Sequence, residues 1–386
     1  MTAARARRPR IQDAFDPRSN ALNTIRLVLA TLVIFGHAAP LGGYTLPRSI
    51  WLLGGEVAVD AFFGISGFLI TRSWDRRPRW PRYAWHRALR IMPAFWTCLL
   101  VIGLVVAPLA TWLQQGNLRG FWLEPDGPLG YILRNMSLRM LQYGVAGGPE
   151  GIPFPGVWNG SLWSLYWEFL CYLGIGALGV LAVIKSRRSI VLGGFLAAWA
   201  LTWLVSNEEP VGSVGEAQLG LQVSVRLALM FLSGAVLYLY REVVPVDGRL
   251  ASAAFFLFVA GLMLMPDYRT IGGFAITYLV LFLGMTLPLR VGARNDISYG
   301  MYIYAFPTQQ VLAMAGVAAL GWLPFALIAV VLTIPAAAAS WWLVERPALR
   351  MKNWRPRRLP NGPPPPWLTS SAAVAAFLGF ALLALL

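Results

Sequence analysis

Charge is scarce in this sequence: only 13% of its 386 residues are Asp, Glu, Lys or Arg, about half the share that a soluble globular domain carries. The shortage runs the whole length, which argues against a water-soluble core. There are two cysteines, Cys98 and Cys171, both inside apolar runs, which excludes a disulfide framework and a cysteine metal site as readings. Histidine is equally rare, with His37 and His86 alone, and no metal site is expected. Neither a Walker phosphate loop nor a Rossmann glycine fingerprint occurs. The first twenty residues are polar and basic, unlike a cleavable signal peptide. The basic stretch at 71–90 has no counterpart in the second half, so the paired repeats of many transporters are not seen.

What is abundant is apolar. Hydrophobic residues make up 57% of the chain, with 17 Trp, and mean hydropathy is +0.59. Runs of about 20 apolar residues suffice to cross hydrocarbon as helices, the form that satisfies a backbone in lipid. Eleven spans are expected, near 25–42, 52–70, 91–112, 160–183, 189–206, 221–239, 250–265, 271–287, 297–315, 322–344 and 367–386. The predicted fold is an all-α polytopic transmembrane bundle of about ten core helices plus one C-terminal helix. A basic segment (1–24) precedes the core (25–350). A basic, Pro-rich linker (351–366) then leads to the extra helix (367–386). The link at 113–159, with Gly-Gly-Pro-Glu-Gly and Pro-Phe-Pro-Gly, reads largely as loop, and 129–143 as a segment suited to the membrane surface.

The net charge of +15 suits positive loops on one membrane side better than nucleic acid. Alternate links hold nearly all the basic residues, including Arg72, Arg76, Arg77, Arg79, Arg82, Arg87 and Arg90. The intervening links hold only Arg48, Arg119, Arg134, Arg139 and Arg269. This asymmetry predicts an integral membrane protein with a cytoplasmic N-terminus and the C-terminus outside; the expected location is a bacterial inner membrane.

Ionisable groups within spans are costly and are functional candidates by default. His37, Asp60 and Glu168 qualify. From helical rise, His37 lies about 18 Å from the inner face, and Asp60 and Glu168 each about 12 Å from the outer one. A His–carboxylate layer suits general base catalysis, because imidazole titrates near neutrality and a carboxylate fixes its tautomer. Spacing leaves open which carboxylate pairs with His37, and purely structural helix contacts are the competing reading. Arg87 and Arg90, at i and i+3, share a helix face where guanidinium groups suit phosphate. Topology-setting charge accounts for them equally well. His86 reads as a solvated loop residue.

Several of these residues together resemble the acyltransferase-3 family of membrane O-acyltransferases. They are Arg26 and His37 with ten residues between them, Val-Asp-Ala-Phe-Phe-Gly-Ile-Ser-Gly-Phe-Leu-Ile (59–70), Arg87-x-x-Arg90, Ser164-Leu-Tyr-Trp-Glu168, the segment from Ile297 through Tyr299 and Tyr302 to Pro307, and Val344-Glu-Arg-Pro347. The resemblance runs from about 25 to 350. It departs at Ala305, where family members often carry His. It implies transfer of an acetyl or other short acyl group from acyl-CoA, as cosubstrate, to a hydroxyl of a surface glycan, glycolipid or related acceptor. His37 is then the base, helped by Glu168 or Asp60. Arg26, Arg87 and Arg90 hold acyl-CoA, and Ser164, Tyr166, Tyr299 and Tyr302 contact the acceptor. Implied partners are acyl-CoA, a carbohydrate or glycolipid acceptor and membrane lipids, with no bound cofactor and no nucleic acid. A transporter or flippase for a glycan or lipid intermediate is the alternative, because it too needs buried ionisable groups.

Overall fold

A computed structural model of the protein describes residues 8–181, 186–205 and 216–353. Its regular elements are helices, with no strand among the described residues. The longer ones are α1 (Leu22–Gly42), α2 (Arg48–Arg76), α3 (Trp80–Gln115), α4 (Pro128–Asn135), α5 (Trp163–Val180), α6 (Arg188–Val205), α7 (Glu216–Leu239), α8 (Gly248–Leu264), α9 (Arg269–Thr286), α10 (Ser298–Met314) and α11 (Trp322–Arg350). Among the described residues six are long and apolar enough to cross a membrane: α1, α2, α3, α7, α9 and α11. Helices α5, α6, α8 and α10 fall on other expected spans but are shorter or less apolar. The expected span at 367–386 and the Pro-rich linker lie outside the described residues.

Helix α3 begins at Trp80, well before the apolar run expected from 91. Charged residues end contact with hydrocarbon but do not end a helix, since Arg is a good helix former. Pro81 is tolerated in the first turn, where a missing N–H costs nothing.

The chain forms two compact units. The first comprises Met1–Leu29, Gly55–Arg77 and Leu181–Arg294. Its core is a near-contact of two backbones. A Cβ built on Gly67 would lie 1.8 Å from the Phe231 carbonyl oxygen, and one on Gly234 would lie 1.9 Å from that of Gly64. The glycines of the 59–70 motif therefore admit α7 against α2, as small residues do between membrane helices. Gly284 of α9 likewise admits Leu22, whose side chain a Cβ would meet at 2.3 Å.

The second unit comprises Ala30–Gly54, Pro78–Val180 and Asn295–Leu386. Here Gly300 lies against Ala337, joining α10 to α11, and Gly54 lies against the Gly36 backbone. Two π-helical turns interrupt long helices, at Ile102–Val106 and Trp341–Glu345. The region after α3 is a folded cap rather than one surface helix: α4 stops at Asn135. The Asn135 side chain, fully buried, accepts from the Leu141 and Gln142 amides and donates to the Gln142 carbonyl at 2.7 Å. Tyr131, Leu138 and Trp158 fill the space beneath.

Enlarging Gly67 tests the close approach. Gly67→Ala should destabilise the protein by about 1–3 kcal/mol through overpacking, seen as a lower melting temperature in detergent. Gly174→Ala, where a Cβ meets nothing within 4 Å, should be neutral.

Candidate active site

His37 lies on α1 in the second unit, half-buried, and its Nδ1 is buried without a hydrogen-bond partner. Its ring stands edge-on to Phe306 at 5.3 Å. The backbone just before it is pinned from two sides. Gln309 Nε2 donates to the Ile34 carbonyl at 2.8 Å, and Trp322 Nε1 to that of Phe35 at 3.1 Å. Pro40 has no N–H to offer the Gly36 carbonyl, and Gly36 has no side chain to hold off Gly54. The folded cap reaches the same place. Phe154 packs on Phe306 at 6.1 Å, Gly160 presses on the Phe306 ring, and Gln310 Nε2 donates to the carbonyls of Phe154 and Val157. The residue beside Ala305 thus supplies an aromatic wall, not a second imidazole. The buried His37 Nδ1 thus has no polar partner among the described residues, unlike most buried polar groups.

Ser164 and Tyr302 are brought together: their hydroxyls lie 2.6 Å apart, and Tyr302 also donates to the Ser161 carbonyl at 2.9 Å. Both are buried, so they join the start of α5 to α10. Asn159 completes this joint by donating to the Ile303 carbonyl at 2.7 Å. Tyr166 is half-buried, edge-on to Trp167. Tyr299 donates to the Ile91 carbonyl at 3.0 Å, on the side of Arg90.

Glu168 is not bonded to His37. It accepts from Tyr172 at 2.5 Å. The Tyr172 ring faces Arg87 at 5.8 Å, and Tyr172's carbonyl accepts from Tyr83 at 2.7 Å. The two arginines of the Arg-x-x-Arg motif differ. Arg90 is clamped by Asp296 at 2.7 Å and by Glu345 at 3.9 Å, and Ser298 and Ser340 donate to those two carboxylates. Arg87 lies between the Tyr83 and Tyr172 rings with its Nε buried and unbonded, and makes no ion pair among the described residues.

Asp60 and Arg26 belong to the first unit. Arg26 is half-buried on α1. Asp60 is fully buried: Oδ1 accepts from Arg226 at 2.9 Å, and Oδ2 from Arg269 and Tyr268, each at 2.5 Å. Glu56 pairs with both arginines and Asp267 with Arg269. Equal depth had placed Asp60 level with His37. Depth carries no rotation about a helix axis, and this carboxylate turns to two guanidinium groups instead. Sequence reasoning missed Arg226 and Arg269 because each stands at the edge of a span, where charge reads as topology. Glu345 stands within the Val344-Glu-Arg-Pro347 motif and Asp296 just before the late-helix motif, and spacing alone pairs neither with Arg90.

The family model of an acyltransferase domain, acyltransferase-3, matches residues 19–344. The chain belongs to the acyltransferase-3 family. It is 28% identical to the O-acetyl transferase of Shigella phage Sf6, over 85% of this chain and 96% of that protein. It is 27% identical to nodulation protein 10 of Rhizobium leguminosarum bv. viciae, over 86% and 94%. It is 28% identical to the exopolysaccharide production protein ExoZ of Rhizobium meliloti, over 80% and 93%. No solved structure gives a significant match. The acyltransferase-3 helices thus carry His37 against an aromatic wall and a basic patch at the start of α3 within one unit, and an Asp60 ion-pair network in the other.

Asp60→Ala tests that network. Removing the fully buried carboxylate, so that Arg226 keeps only Glu56 and Arg269 only Glu56 and Asp267, should cost roughly 3–5 kcal/mol, read as loss of monodisperse protein in size-exclusion chromatography. Adding Arg269→Met should recover part of it. A stable, folded Asp60→Ala protein with abolished transfer would instead assign Asp60 to the chemistry.

Proposed function

We propose that this membrane acyltransferase moves an acetyl or other short acyl group from cytoplasmic acyl-CoA to a hydroxyl of a surface glycan or glycolipid. The observation that carries the chemistry is the buried Nδ1 of His37, without a hydrogen-bond partner among the described residues, where α1, α10 and the cap meet. A relative named as an O-acetyl transferase supports acetyl as the group moved, and one named as an exopolysaccharide production protein supports a carbohydrate acceptor. The run of arginines at 72–90 supports an anionic donor entering from the cytoplasm.

In this reading His37 takes the proton of the acceptor hydroxyl as its oxygen attacks the thioester carbonyl. The carbon–sulfur bond breaks, coenzyme A departs as the thiol, and the acyl oxygen ester forms. A thioester is reactive enough for direct attack, so the scheme uses no covalent acyl-enzyme. Glu168, tied to Tyr172, orders the helix between His37's pocket and Arg87 rather than orienting the imidazole directly. Ser164 and Tyr302 position the pocket wall, and Tyr166 and Tyr299 offer further hydroxyls to the acceptor. Arg26 is a third candidate for the donor phosphates. The N-terminus is cytoplasmic, so the start of α3 faces the cytoplasm and the cap faces outside.

Purified protein incubated with labelled acyl-CoA and a panel of glycans should transfer label, and His37→Ala should lower kcat by about 10²–10⁴-fold, the usual contribution of a general base. Full activity in His37→Ala would overturn the mechanism.

A further inference from the structure

Resting on the acyl-CoA reading, we infer that Arg87 and Lys352, not Arg87 and Arg90, bind the phosphate groups of the donor. Lys352 lies beyond the matched family region, which ends at 344. It is placed by the short turn Met351–Asn353, which is fastened to the first turns of α3. Trp85 Nε1 donates to the Met351 carbonyl at 3.1 Å, and His86 Nε2 lies 3.1 Å from the Lys352 carbonyl oxygen. The turn therefore holds a fixed position over the residues that precede Arg87.

This gathers cations beside Arg87 with no acid paired to it among the described residues. Lys352 lies within electrostatic reach of Arg87 and Arg90, and His86 within reach of Arg82, Arg87 and Lys352. Of the acids nearby, Asp296 and Glu345 are spent on Arg90 and Glu168 accepts from Tyr172. Burial, with the two arginines, draws the Lys352 ammonium below its ordinary pKa, as expected where like charges crowd without a counter-ion. Neither Arg87 nor Lys352 makes an ion pair among the described residues, and Arg87 Nε is buried without an acceptor. Both side chains are only partly buried, so an anion can reach them. The Tyr83 and Tyr172 rings flank Arg87 and restrict it to one direction. An arginine fork and a lysine point charge side by side suit a diphosphate with a further phosphate, as at the 3′-phosphoadenosine end of coenzyme A.

Coenzyme A binding to the purified full-length protein, measured by titration calorimetry in detergent, tests this. Lys352→Gln should weaken binding about tenfold or more, in line with one lost charge-assisted hydrogen bond, and Lys352→Arg should stay within about twofold. In transfer assays Lys352→Gln should raise KM for acyl-CoA with kcat nearly unchanged. It should leave an acyl-pantetheine donor, which lacks the phosphates, unaffected. Wild-type binding of coenzyme A with equal binding by Lys352→Gln overturns the Lys352 assignment alone. Absence of wild-type binding overturns the acyl-CoA reading and this inference with it.

Discussion

A charge taken out of water into a low-dielectric interior must be met by an opposite charge held close and hydrogen-bonded, and the architecture of this protein is arranged around that requirement. Arg90 of α3 is met by Asp296 before α10 and by Glu345 in the π-helical turn of α11. Three stretches distant in sequence converge on one guanidinium. Ser298 and Ser340 bond the two carboxylates in turn, so the clamp is itself braced. The Arg-x-x-Arg, late-helix and Glu-Arg-Pro motifs thereby become parts of one device.

The other unit solves the same problem with a different set. Asp60 receives Arg226, Arg269 and Tyr268, at the level where α2 and α7 begin the close approach permitted by Gly64, Gly67 and Gly234. Ion pairing and glycine packing reinforce each other: backbones in near contact bring short and long polar side chains within reach across the interface.

Among the described residues several buried polar atoms lack a hydrogen-bond partner, and two of them belong to His37 and Arg87. His37 has a buried nitrogen with nothing to bond, beside an aromatic wall formed by Phe306 and Phe154. Arg87 has tyrosine faces and a buried, unbonded Nε in place of an acid. Both occur in the same unit, and Glu168, through Tyr172, stands on the Arg87 side.

The helical class, the places of the long apolar helices and the candidacy of His37 were legible from composition and hydropathy, because lipid permits little besides helices and because an intramembrane imidazole is costly. The motifs that identify the family were legible as strings. Partner choice was not. Asp60 and Glu168 looked equivalent to His37 by depth, and Arg87 equivalent to Arg90 by spacing, because a linear sequence records height along a helix but not rotation about it. Rotation is decided by glycine contacts and by which carboxylates arrive from other helices. Only the tertiary structure therefore separates Arg90, which two carboxylates meet, from Arg87, which faces two tyrosine rings and makes no ion pair among the described residues.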